Sequence, residues 1–189
     1  DYWRDVGTVA SYMETNMEAL DPESGLDLAG WGVRTNHQQI ELANQCPTRL
    51  TSTSSVRHSL VSKGTLIEGV VENSILSPGV RIGRGAVVRR SILLHRVQVG
   101  AGCMLDGVIA DKRVQIGDGT WIGDPDLGDQ PNERNPHLLN LGTSVIGHSA
   151  VVSGGLRLGR NSLVYPGVRL ARKPGQAVAS GHTFYDSND

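Results

Sequence analysis

Two adjacent basic pairs, Arg89-Arg90 and Lys112-Arg113, are the side chains whose type and spacing most readily suggest chemistry. A guanidinium offers a planar fork of donors that matches phosphate oxygens, and an ammonium offers a compact point charge. Such pairs suit an anionic ligand; a solvated surface is the ordinary alternative for each of them. His148, in the run Ile146-Gly147-His148, could serve as a general base toward a hydroxyl or an amine. A histidine at an outward position is usually no more than solvated. The six His and two Cys show neither Cys-x-x-Cys nor His-x-x-x-His spacing, so they predict no metal site.

The charge surrounding these residues is uneven. The net charge is −1, yet residues 1–30 hold seven acids against Arg4, and residues 55–115 hold nine bases against four acids. The basic stretch favours anions through its summed field. It has no aromatic residue on which bases could stack, so nucleic acid is not an expected partner. No run approaches the roughly 18 apolar residues of a membrane span, and residues 1–20 carry acids without the apolar stretch of a signal peptide. Cys46 and Cys103 make no disulfide framework, and the expected location is the cytoplasm. The chain opens on Asp1 and is expected to begin inside a longer polypeptide.

The elements that must position these residues follow from internal repetition. Windows 69–85, 86–102 and 103–119 align without gaps at a period of seventeen residues, with Ile82-Gly83, Val99-Gly100 and Ile116-Gly117 in the same register. A degenerate copy covers 55–68. Farther on, Ile146, Val152, Leu158, Val164 and Leu170 recur every six residues. A period of six fits neither a helix nor a simple alternating strand. It fits short strands joined by tight bends, each hexad forming one side of a triangular coil with its aliphatic residue inward. Small residues such as Ala150 and Ser162 take the second inward position, and the glycine after each aliphatic is expected to adopt a conformation closed to other residues. Three hexads make a turn, and seventeen residues make a turn with one deletion.

The predicted organisation is therefore mainly β, with hexapeptide-repeat coils over 51–123 and 145–171. A polar excursion occupies 124–144, and 172–189 reads as a tail. Thr8 is the predicted N-cap of a helix over about 9–20, whose face Val9, Tyr12, Met13, Met17 and Leu20 is expected in the core. Residues 1–50 otherwise read as a linker with short strands.

The opening Tyr2-Trp3-Arg4-Asp5-Val6-Gly7-Thr8, the helix after it, Trp31-Gly-Val-Arg-Thr35 and Ile109-Ala-Asp-Lys-Arg-Val114 resemble the glucose-1-phosphate adenylyltransferase (ADP-glucose pyrophosphorylase) family. The resemblance covers residues 2 to about 123 and implies a left-handed parallel β-helix following the end of a nucleotidyltransferase domain. Residues 1–50 would then hold the last part of that domain. In the family the reaction joins ATP and glucose 1-phosphate into ADP-glucose and pyrophosphate. The resemblance implies that Asp5 is a Mg²⁺ ligand in the parent enzyme, while the partner carboxylate and the phosphate-cradling loop lie in the missing N-terminal domain. The chain alone is thus expected to be inactive and to need no cofactor. The resemblance also implies tetramers and an effector that is an anionic phosphorylated metabolite. Lys112 matches a position associated with activator binding, and Arg113, Arg89 and Arg90 are its candidate neighbours. The array over 145–171 departs from the family pattern.

Two other readings compete. Ile146-Gly147-His148-Ser-Ala-Val resembles the hexad carrying the catalytic histidine of hexapeptide acyltransferases, which would make His148 the base. A pure scaffold, with the β-helix as an assembly module, is the third. Open coil ends and edges favour self-association under every reading, so a homo-oligomer is expected.

Overall fold

Strands of two to four residues are too short to stand alone and must be hydrogen-bonded on both sides. A computed structural model describes residues 3–33, 44–171 and 173–185, and in it each strand finds its partner one turn above or below. Three seven-stranded, wholly parallel sheets form the faces of a prism. Face A carries Arg49–Leu50, Leu66–Ile67, Arg81–Ile82, Gln98–Val99, Gln115–Ile116, Val151–Val152 and Arg169–Leu170. Face B carries Ser55–Arg57, Val70–Glu72, Val87–Arg89, Met104–Asp106, Trp121–Asp124, Arg157–Gly159 and Ala177–Val178. Face C carries Leu60–Val61, Ile75–Leu76, Ile92–Leu93, Val108–Ala110, Ser144–Ile146, Leu163–Val164 and Thr183–Phe184. The mainly-β, left-handed parallel β-helix with one N-terminal helix is the architecture of the chain.

The inward residues stack in columns. On face A, Ile67, Ile82, Val99, Ile116, Val152 and Leu170 succeed one another, all at most 3% exposed. Face B supplies Val71, Val88, Leu105, Ile122 and Leu158, and face C supplies Leu76, Leu93, Ala110, Ile146, Val164 and Phe184. Together they form one continuous hydrophobic cluster, so the coils at 145–171 continue the earlier prism without a break. The deletion that shortens a turn to seventeen residues lies at the corner from face B to face C. There Leu93 follows Val88 by five residues, whereas Leu158 and Val164 keep the full six.

The glycines after the aliphatic residues have a different cause from the expected one. Gly83, Gly117 and Gly147 are absent from the residues with positive φ. A β-carbon on Gly83 would lie 2.6 Å from Ala101 N, and one on Gly147 would lie 2.5 Å from Pro166 N. Close approach of the next coil's backbone is what excludes a side chain. The left-handed conformation falls two residues later, at Gly85, Gly102 and Gly119.

Helix α1 spans Val9–Glu18 and is capped as predicted: Thr8 Oγ1 accepts from Ser11 N at 3.0 Å, and Ser11 Oγ accepts from Thr8 N at 3.1 Å. Its apolar face is not core: Val9, Met13 and Met17 are half-buried, Tyr12 is exposed, no residue of α1 is buried, and Leu20 beyond it is. The helix lies outside the prism, along face C. A cavity of about 190 Å³ separates Ala10, Met13 and Met17 from Gly107 and Thr143. The outward residues of face C are aliphatic, Ile75, Ile92, Ile109, Val145 and Leu163, and Ile92 is 1% exposed although it lies outside the prism interior.

The excursion leaves the prism after Trp121–Asp124 and re-enters at Ser144. Asp124 is fully buried, 2.6 Å from the Arg157 guanidinium, and its Oδ1 accepts from Asp126 N. Arg157 also lies over the Trp121 ring, 5.2 Å from the centroid. Asn132, fully buried, donates to the carbonyls of Asn161 and Gly181 and accepts from Asn135 N and Thr183 Oγ1. That network pins the excursion to the last coil. Residues 173–185 are therefore no tail. Ala177–Val178 and Thr183–Phe184 add the seventh strands of faces B and C, and Phe184 is 0% exposed. Arg172 and residues 186–189 lie outside the described residues, as do Tyr2 and the Arg34-Thr35 end of the tryptophan motif.

Replacing Ile82 by Asp would put an unpaired charge into the face A column and is expected to cost several kcal/mol. Replacing Asp124 by Ala would strand Arg157 and is expected to cost about 2–3 kcal/mol, less than a fully buried pair because Arg157 reaches solvent. Chemical denaturation followed by circular dichroism checks both; unchanged midpoints would contradict the inward assignment of Ile82 and the anchoring role of Asp124.

Candidate functional site

Each corner of the prism stacks residues as strictly as the faces do. At the corner from face C to face A, the residue with positive φ donates its N–H to a carbonyl on the neighbouring turn. Gly79 N bonds Lys63 O at 3.2 Å, Arg96 N bonds Pro78 O at 3.1 Å, and Arg113 N bonds His95 O at 2.9 Å. Ser149 N then bonds Lys112 O at 2.9 Å and Gly167 N bonds His148 O at 2.8 Å. Lys63, Pro78, His95, Lys112, His148 and Pro166 thus form one vertical column. Arg96 and Arg113 stand beside it in left-handed conformations, with φ of 61° and 62°. Rungs repeat at about 4.8 Å, so the edge presents a dense line of basic side chains.

This edge brings together Lys112, Arg113 and His148, which the sequence proposed for two different activities. It adds His95 and Arg96, which the sequence reading passed over. The signal for them was present: His95-Arg96 precedes Lys112-Arg113 by the same seventeen residues that separate the coils. Lys112 and Arg113 are exposed, and neither forms an ion pair with a carboxylate among the described residues. Asp111 turns inward on its own chain, its Oδ1 accepting from Lys112 N at 2.7 Å.

The structure does not bring Arg89 and Arg90 to this edge. Arg89 ends a face B strand and Arg90 starts the corner from face B to face C, and both are already engaged by carboxylates. Arg89 Nε lies 3.0 Å from Glu72 Oε2, and Arg57 pairs with the other oxygen of Glu72. Arg90 Nη2 lies 2.7 Å from Asp106 Oδ1. Hydrogen bonds from Arg57 and then Arg89 hold the Glu72 carboxyl below its ordinary pKa. Four arginines and lysines that look alike in the sequence thus separate into two that are neutralised and two that are open.

His95 is half-buried, and its Nδ1 has no hydrogen-bond partner among the described residues. Burial, and then the charges of Lys112 and Arg96, lower its pKa, with Asp111 opposing them. His148 sits one rung beyond Lys112, and no described residue hydrogen-bonds its imidazole. A general base is normally held by a second group, and here the flanking group is a cation. Beside the edge, a groove of about 410 Å³ opens between Val9 of α1, Leu138 and Leu139 of the excursion, and Val145 and Leu163 of face C. Asp111 and Gly147, on its rim, directly precede Lys112 and His148.

Asp5 is exposed, and its Oδ1 accepts from Gly7 N at 3.1 Å. Among the described residues there is no group of three His, Cys, Asp or Glu able to hold a metal ion. A single carboxylate does not satisfy the octahedral oxygen shell of Mg²⁺, so this chain's described residues do not by themselves compose such a site. No described helix is long and apolar enough to cross a membrane.

Coils of three hexads around a single aliphatic interior define a hexapeptide-repeat protein, and residues 43–134 match the family model for the GlmU-like, C-terminal hexapeptide. The chain is 33% identical over 182 residues to a glucose-1-phosphate adenylyltransferase of Acetivibrio thermocellus, covering 95% of this chain and 41% of that protein. It is 43% identical over 182 residues to one of Pseudothermotoga lettingae, covering 95% and 42%. The chain belongs to the glucose-1-phosphate adenylyltransferase family and spans about two fifths of the length of these relatives. Among solved structures, the acetyltransferase domain of PglB from Neisseria gonorrhoeae FA1090 overlays with a TM-score of 0.36 at 16% identity, covering 76% of this chain and 57% of that one. That likeness is too slight to bear on function.

An anion held on the basic edge would raise the His95 pKa, so binding takes up a proton and strengthens as pH falls. Sulfate, which does not itself titrate there, is expected to bind more tightly at pH 5 than at pH 7, because the lowered His95 pKa puts its proton uptake below the ordinary histidine range. Calorimetry at both pH values checks this, and His95→Gln is expected to reduce the difference; equal affinity at both values would show that His95 does not sense the anion.

Proposed function

We propose that this chain is the assembly and regulatory portion of a glucose-1-phosphate adenylyltransferase whose parent reaction converts ATP and glucose 1-phosphate to ADP-glucose and pyrophosphate for glycogen- or starch-type glucan synthesis. In this reading a nucleotidyltransferase domain N-terminal to these residues binds both substrates. Mg²⁺ would neutralise phosphate charge there, with Asp5 as one ligand and the remainder supplied by that domain. The β-helix then contributes to a cytoplasmic homotetramer and holds an anionic phosphorylated metabolite.

The observation that carries the regulatory part is the open basic edge. Lys112 and Arg113 stack directly on His95 and Arg96, so a ligand with two anionic groups can bridge two rungs. The fixed backbone of a corner ladder positions these charges before the ligand arrives, which lowers the ordering cost of binding. An acyltransferase reading would need His148 oriented as a base, and no described group does so.

Titrating the 189-residue chain separately with a sugar bisphosphate, a phosphoglycerate, inorganic phosphate and a nucleotide tests the reading. At least one is expected to bind, with Lys112→Ala and Arg113→Ala each weakening it about tenfold, the value of one charge-assisted hydrogen bond. Arg89→Ala, on face B, is expected to change it less than about twofold. Binding of none of them would leave a pure scaffold, and binding of an acyl-coenzyme A would favour the acyltransferase. The chain alone is also expected to show no pyrophosphorolysis of ADP-glucose, and measurable turnover would overturn the assignment of catalysis to a separate domain.

A further inference from the structure

The groove beside the basic edge differs in kind from the edge itself. Three successive rungs of face C reach it: Asp111 follows the first, Gly147 the second, and Tyr165 and Pro166 the third. Rungs repeat at about 4.8 Å, so its floor runs about 10 Å along the prism. Val145 and Leu163, paired on adjacent strands, point out of the prism into it. Val9 in the first turn of α1 and Leu138 and Leu139 of the excursion supply the walls. The volume, about 410 Å³, is that of a small-molecule pocket.

Aliphatic walls sort ligands by what they leave unpaired. A sugar seated there would lose water from its hydroxyls and find no partner on Val9, Leu138, Val145 or Leu163, a net cost. A hydrocarbon body loses no hydrogen bond and covers apolar surface that water now reaches, including Leu138 at 48% and Tyr165 at 43% exposure. Charge enters at the corner. Lys112 and His148 come directly after the rim residues Asp111 and Gly147. Lys112 is exposed and pairs with no carboxylate among the described residues. The acid on the rim, Asp111, has its Oδ1 accepting from Lys112 N at 2.7 Å, and Asn135 adds a side-chain amide to the lining. An apolar trough that ends at an unpaired cation complements a ligand with an apolar body and an anionic head.

We propose that this groove binds an amphiphilic anion, an acyl chain lying over Val145 and Leu163 with its carboxylate or phosphate head at the Lys112 corner. The chain supplies affinity through burial, and the head fixes its direction. This goes beyond the effector reading, which asks only for a polar anion at the edge; the two share Lys112 and differ in everything the groove contributes. Val9 directly follows the Thr8 cap, so the bound chain touches the helix that joins the Asp5 segment to the prism.

Chemical-shift titration of the 189-residue chain with butanoate, hexanoate and octanoate at pH 7, each below its micelle-forming concentration, separates body from head. Affinity is expected to rise about twofold to fourfold for each added methylene, the upper figure corresponding to full burial. Val145→Ser is expected to weaken octanoate about fivefold and butanoate less than about twofold. Leu138→Ser is expected to do the same, and because Leu138 lies in the excursion and is 48% exposed, its loss does not unfold the prism. Lys112→Ala is expected to weaken all three acids by one common factor, about threefold to tenfold, and to leave the rise intact. Octyl phosphate beside octanoate distinguishes the heads: tighter binding assigns a phosphate, and equal or weaker binding assigns a carboxylate. Equal affinities for the three acids, a rise that both groove variants leave unchanged, or octanoate binding indifferent to Lys112→Ala would each overturn the proposal. Inorganic phosphate tells this failure from that of the effector reading. If phosphate binds at the edge while the acids show no rise, the groove proposal alone falls; if the acids show the rise and phosphate does not bind, the groove stands without the effector reading.

Discussion

The structure depends on aliphatic side chains of successive coils lying directly on one another in the prism interior. No single coil has a hydrophobic core of its own; three residues facing a common axis are covered only when the next three sit above them. Ile82 is buried because Ile67 and Val99 flank it, and the same holds for Leu93 between Leu76 and Ala110. This mutual dependence imposes a fixed register on every strand. It also explains why a glycine must follow the aliphatic residue where the next coil's backbone passes closest, as at Gly83 and Gly147.

Fixed register has a consequence at the surface. Once the interior columns are set, outward residues are also in columns, whether or not they benefit from it. Charges one turn apart in the sequence become neighbours at the rung spacing. On face B the result is a self-neutralising ladder through Arg57, Glu72 and Arg89. At the corner from face C to face A the result places Lys112 and Arg113, which pair with no carboxylate among the described residues, beside His95, whose pKa burial and then the charge of Lys112 push down. Like charges held together by the backbone are a cost to the free protein that a bound anion would offset. The ladder and the edge thus arise from one rule with opposite outcomes.

The last coils are held by a different chemistry. Where the aliphatic repeat weakens, buried polar groups take over: Asp124 with Arg157 at the exit of the excursion, and Asn132 bridging Asn161, Gly181 and Thr183. These contacts are specific and long-range, between residues tens of positions apart. Nothing in the local sequence around Asn132 announces them, so the segment reads as a polar loop and the coil after it as a tail. A faint signal did survive, since Val178 and Phe184 keep the spacing of six.

What the sequence determined by itself was the coil: a period of six fits short strands joined by tight bends with their aliphatic residues inward, and Thr8 as a cap was equally local. Tertiary structure alone decided which charges meet. Arg89-Arg90 and Lys112-Arg113 are indistinguishable as dipeptides, yet one pair lands beside Glu72 and Asp106 and the other on an open corner. It also decided that the apolar side of α1 lies half-covered along face C instead of inside a core. The physical reason is that periodicity specifies which residues point inward, while the partner of an outward side chain is set by what the next turn, or a distant loop, places at the rung beside it.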